Sequence, residues 1–199
     1  MSVADKLTTI AENEQKVFEA GKTKEWNDFW DIYQDFGNRR SYSNTFFNWW
    51  GNIYKPKYPI IVGQNYSSQN CYAHSGVVDT LVDITFMSGC DVTYFFQNCS
   101  ILETVRKITC NKTAKVGSLF YNCKSLKNVT FDGEIGAGFS VSASSVITHN
   151  SLMSIINHLY DYKGNGDTTT RTMTFGETNL AKLTDAEKAI ATQKGWTLA

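Results

Sequence analysis

Three histidines and five cysteines are the side chains of this sequence best suited to nucleophilic, acid–base or metal chemistry. Their spacing supports none of it. His74, His149 and His158 stand in no pattern with a serine or cysteine nucleophile, and such catalysis needs a nucleophile, a base and a group that orients the base. Cys71-x-x-His74 is half of a zinc pattern, but a tetrahedral site needs a second pair of ligands at matching spacing and none follows. Gly164-Asn-Gly-Asp167 has too few carboxylates, and no bidentate glutamate, for a calcium loop. The glycines at 133–138 lack the Lys-Ser or Lys-Thr that completes a phosphate cradle. No catalytic residue, metal ligand or cofactor is assigned, and the expectation is a protein that is not an enzyme. Cys71, Cys90, Cys99, Cys110 and Cys123 are odd in number with no paired spacing, which predicts reduced, buried structural thiols.

Recognition chemistry remains. Four of the five tryptophans lie between residues 26 and 50, and Trp49, Trp50 and Tyr54 offer aromatic faces on which a pyranose ring can pack. The alternative is that this bulky block seals the open end of a stacked structure. A second set, Thr104, Arg106, Asn128 and Thr130, occupies positions predicted to point outward from short strands, where they would contact a partner.

The elements that must position these residues come from an internal repeat of about 24 residues. Phe96-Gln-Asn-Cys99 with Leu102, Val105 and Ile108 is followed by Phe120-Tyr-Asn-Cys123 with Leu126, Val129 and Phe131. Leu81, Ile84 and Val92 extend the register backwards, and Tyr72, His74 and Val78 mark a degraded earlier copy. A repeat this short buries its apolar side only by stacking on its neighbours. Each copy is predicted to give a strand near 104–108 or 128–131, then a turn in which Asn bonds otherwise orphaned backbone groups. The preceding phenylalanine fills the interior, where truncation to alanine costs roughly 3–5 kcal/mol.

The pattern Phe-x-Asn-Cys-x-x-Leu-x-x-Val resembles the BspA-type leucine-rich repeats of surface and phage-encoded proteins from gut and oral bacteria. Ser151-Leu-Met-Ser-Ile-Ile-Asn157, Asn179-Leu-Ala-Lys-Leu-Thr-Asp-Ala-Glu-Lys188 and Lys194-Gly-Trp-Thr-Leu198 are similar to the closing segments of such proteins in prophages of Gram-positive gut bacteria, and Ala11-Glu-Asn-Glu-Gln-Lys-Val17 to their opening helix. The resemblance implies an α+β fold: a short leucine-rich-repeat β-solenoid with a helical amino-terminal segment and a capping helix and strand at the carboxyl end. It also implies a virion protein of the tail or baseplate region, whose partners are other virion proteins and a host-surface glycan or protein. The alternatives are an intracellular protein–protein interaction module and a bacterial surface adhesin.

Lys plus Arg and Asp plus Glu each number 19, so no net charge draws the chain to nucleic acid or an anionic membrane, and neither is expected as a partner. The first ten residues lack the basic and apolar regions of a secretory signal, which predicts cytoplasmic synthesis before entry into the particle or a cytoplasmic site of action.

Taken in order, Val3, Leu7, Ile10 and Val17 give residues 3–20 one helical stripe, read either as a short homo-oligomeric coiled coil or as a helix docked on the rest of the chain. Trp26, Phe29, Trp30, Tyr33 and Phe36 continue at helical spacing. Pro56 and Pro59 set the domain boundary, giving a helical, aromatic region at 1–58 and a repeat domain at 59–199. Ile60 to Val62 reads as a strand, 64–76 as a surface loop and 133–145 as an irregular turn. A helix is predicted over 151–160 and a strand over 168–175, where Arg171, Met173 and Phe175 alternate with threonines. Thr184-x-x-Glu187 opens a last helix, Gly195 closes it, and Trp196 and Leu198 fold back on the end.

Overall fold

The computed structural model describes residues 60–65, 67, 69 and 80–199. Four strands follow one another at the repeat period: β1 (Ile60–Val62), β2 (Thr80–Phe86), β3 (Thr104–Cys110) and β4 (Asn128–Gly133). All pairings are parallel and the order is that of the sequence. Ile60 pairs with Ile84, Ile84 with Ile108 and Ile108 with Phe131. Each of these is no more than 2% exposed, so one apolar row crosses the whole sheet. The step from β3 to β4 is a residue shorter because a bulge lies between Val105 and Ile108.

The connecting turns stack as the strands do. The N–H of Phe96 donates to the carbonyl of Leu119 at 3.1 Å and that of Asn98 to Tyr121 at 2.8 Å, so turn backbone groups find partners in the next turn rather than in water. Tyr94, Asn98, Ser118 and Asn122 adopt φ of 55° to 59°, a left-handed conformation that asparagine tolerates better than most residues. Asn122 Nδ2 donates to Asn98 Oδ1 at 2.7 Å, a side-chain rung between equivalent positions. Inside, Phe96 and Phe120 stack with centroids 5.3 Å apart, and Phe139 joins Phe120 at 5.8 Å to Phe131 at 5.7 Å.

The expected α+β β-solenoid is corrected by this arrangement. What the described residues form is a small four-stranded parallel sheet with few helices, an α/β-like arrangement in which no solenoid is identified. The period dictated strand register but not continuation, and the sheet stops at β4 for a physical reason. A side chain at Gly133 (φ 73°) would run into the carbonyl of Cys110, and the irregular chain that follows leads to helix α1 (His149–His158). Two serines of α1 occupy the outer edge of β4: Ser151 Oγ accepts the Val129 N–H at 2.9 Å and Ser154 Oγ the Phe131 N–H at 2.8 Å. An edge satisfied in this way offers no ladder to a fifth strand.

Helix α1 begins and ends two residues before the predicted 151–160 span. Thr148 caps it, accepting from the Ser151 N–H, while Leu159 leaves the helix to bridge Ile135. The predicted strand over 168–175 is present only as β5 (Arg171–Met173), because its partner β6 (Trp196–Leu198) is three residues long. Trp196 and Leu198 thus form a parallel rung rather than a simple fold-back. Helix α2 (Glu177–Leu180) was not predicted. Helix α3 (Asp185–Gln193) opens on the capping box read from Thr184 and Glu187, and Gly195, at φ 87°, turns the chain out of it. The helix over 3–20, the aromatic residues from 26 to 58, the boundary between 58 and 59, Cys71, His74 and most of the 64–76 loop lie outside the described residues.

Candidate functional site

Alternation along a strand sends every second side chain outward, and the bulge in β3 changes that count locally. Val105 and Ile108 both point into the core, so Arg106 and Lys107 lie between them on the outer side. Thr104 is half-buried and Arg106 exposed, while Asn128 and Thr130 are exposed on β4. Register sets Thr104 beside Asn128 and Thr109 beside Asp132. Asn128 Nδ2 donates to Thr104 Oγ1, and Thr148 Oγ1 to Asn128 Oδ1, both at 3.4 Å.

The charges on this face are compensated. Arg106 Nε donates to Asp83 Oδ1 at 2.6 Å, and that bond holds the Asp83 carboxyl below the usual carboxylate range. Lys127 pairs with Glu103 at 3.0 Å beside the start of β4. Such exposed pairs contribute little to stability because solvent screens them, but they hold long side chains in place. The result is a flat, hydroxyl- and amide-bearing strip with neutral balance, suited to hydrogen-bonding a polar surface laid across it.

The structure therefore brings Thr104, Arg106, Asn128 and Thr130 onto one face. Trp49, Trp50 and Tyr54 lie outside the described residues. Asp83, Lys107, Thr109 and Asp132 complete the face and were not singled out from the sequence. The signal was available, because Asp83 and Lys107 are separated by one repeat and pair in register. Tyr94 and Tyr121, exposed on the turns with centroids 6.5 Å apart, were also missed. Tyr121 is the unconstrained second residue of the Phe-x-Asn-Cys pattern, which gave no reason to weigh it.

The residues with catalytic chemistry are placed elsewhere, in structural roles. His149 Nε2 lies 2.9 Å from Glu187 Oε1, joining α1 to α3, and His158 Nδ1 lies 2.8 Å from the Ser154 carbonyl oxygen. Cys90, Cys99, Cys110 and Cys123 are all buried. Burial pushes the thiols of Cys90 and Cys110 up to about 12, and the Cys123 thiol donates to the Phe96 carbonyl at 2.9 Å. Among the described residues no three His, Cys, Asp or Glu side chains group to hold a metal ion, and no helix is long and apolar enough to cross a membrane.

A scan against protein-family models, a search of curated proteins and a search of solved structures each return no match to this chain.

Proposed function

We propose that this is a non-enzymatic recognition protein, a structural or accessory component of a phage or prophage particle in the tail or baseplate region. It binds a host-surface glycan or protein through the outward face of β2, β3 and β4. The observation that carries the reading is that Thr104 and Asn128 pair in register while Arg106 and Thr130, exposed beside them at the bulge, share the same outward polar face. Parallel strands fix these groups on a grid of ~4.8 Å across and ~6.6 Å along the sheet. A partner then meets donors and acceptors that are already ordered, which lowers the entropy lost on binding. The likeness of the Asn-Cys repeats to phage-carried repeat proteins supports the assignment to a particle.

Binding of the labelled full-length chain to cells of the bacterium carrying the gene tests the recognition role, with Thr130→Arg as the disrupting variant. Mass spectrometry of purified particles tests the particle role. Face-dependent binding to an internal protein by a chain missing from particles would instead make it an intracellular interaction module.

A further inference from the structure

A cleft elsewhere in the molecule shares no residue with the sheet face. Segment 163–170, α3 and β6 enclose a cleft of about 530 Å³, inside the ~300–1,000 Å³ range of small-ligand sites. Its floor is apolar, made by half-buried Leu180 and Leu198 and by Trp196. The indole of Trp196 is already engaged, since Nε1 donates to the Tyr160 carbonyl at 2.9 Å, so this residue contributes carbon surface only.

The walls are polar and undercommitted. Thr168, Thr170, Thr192 and Thr197 are exposed there, and among the described residues none of their hydroxyls bonds another side chain or backbone group. Lys163 has no ion-pair partner among the described residues, and Lys188 reaches only Asp185, at 3.6 Å, a carboxylate standing fully in solvent. The acid of the cleft is occupied: Asp167 accepts from the Thr169 N–H at 2.8 Å and from Arg171 Nη2 at 2.9 Å, and these bonds hold its carboxyl below the usual range. The balance offered to a ligand is two ammonium groups and four hydroxyls over an apolar floor.

We infer that this cleft binds a polyhydroxylated anion, a sugar or polyol bearing a phosphate or carboxylate. The ammonium groups take the anion, the threonines take hydroxyls, and the C–H face of the ligand covers Leu180 and Leu198. The ligand is either a free small molecule or a unit of a charged polysaccharide.

Amide NMR of the full-length protein tests this with glucose 6-phosphate, glucuronate, polygalacturonate, glucose and inorganic phosphate. Saturable shifts confined to 163–170, 188–192 and 195–198 are expected with the first three. Glucose and inorganic phosphate each bind at least ~10-fold more weakly than glucose 6-phosphate, since each lacks one half of the contacts. Tighter binding of the monomers points to a free small molecule and of the polymer to a glycan chain. The exposed double variant Lys163→Ala, Lys188→Ala weakens every charged ligand ~10-fold or more, while Thr130→Arg leaves the cleft unchanged. Absence of saturable shifts, equal binding of inorganic phosphate and glucose 6-phosphate, or a double variant within twofold of the parent overturns the inference.

Discussion

Replacing Ser151 with alanine removes the acceptor that α1 supplies to the edge of β4. Ser151 is 4% exposed, and its Oγ accepts the Val129 N–H at 2.9 Å while lying 2.9 Å from Thr148 Oγ1. The Lys127 carbonyl, 3.3 Å from the same Oγ, keeps its bond from the Thr148 N–H at 2.8 Å, so the loss falls on the Val129 donor. A buried donor left unmade costs ~1–3 kcal/mol, offset by up to ~0.5 kcal/mol from alanine's better helix propensity. Ser151→Ala is therefore expected to lower the unfolding free energy by ~0.5–3 kcal/mol, or Tm by several degrees in a chain of this size. Ser154→Ala, at a half-buried position where water can reach the Phe131 N–H, costs ~0–1 kcal/mol. Exposed Ser145→Ala stays within ~0.5 kcal/mol of the parent. Urea unfolding of the full-length chain gives all three values. A neutral or stabilising Ser151→Ala, or one equal to Ser145→Ala, would refute the claim that this hydroxyl terminates the sheet.

Asn122 holds φ 59° and donates to Asn98, so Asn122→Ala loses a bond and strains the backbone while Asn122→Gly loses only the bond. Glycine is expected to be the milder change by ~1 kcal/mol in the same unfolding assay, and equal costs would remove the left-handed turn from the account. The thiols of Cys90 and Cys110, raised to about 12 by burial from an ordinary 9.0, stay protonated in the fold at pH values where an unfolded chain releases its protons. Stability contributed by this difference is complete below pH 9 and is lost as pH rises from 9 to 12. Iodoacetamide at pH 8 should leave both unmodified in the folded protein by mass spectrometry, and rapid labelling of either would contradict their burial.

The spacing of Phe96 and Phe120, Cys99 and Cys123, and Leu102 and Leu126 made strand register and core legible, because stacking neighbours must match position for position. The same pattern carried no information on where stacking ends. That depends on Ser151 and Ser154 reaching β4, a tertiary contact between residues 22 or 23 apart that has no repeat signature. Thr168, Thr169 and Thr170 are β-branched, and nothing in their sequence distinguishes them from strand residues, yet β6 pairs only with 171–173. Asn179 sits in a polar stretch that reads as surface, but its Nδ2 is buried against the carbonyls of Val141, Ser144 and Phe175, pinning the irregular chain before α1. Of the residues proposed for recognition, the outward strand positions were legible because alternation and period coincide. Lys107, one repeat after Asp83, was passed over because strict alternation after Arg106 turns it inward, whereas the bulge puts both side chains outward.

The central claim is that the outer sheet face is the working surface. Cell-surface binding by the labelled full-length protein, compared with Thr130→Arg and Arg106→Ala at matched unfolding free energy, measures it directly. Loss of ~10-fold or more in affinity for Thr130→Arg, with a smaller loss for Arg106→Ala, is predicted from a large side chain driven into the strip and a contact removed at its centre. Undiminished binding by both variants would contradict it.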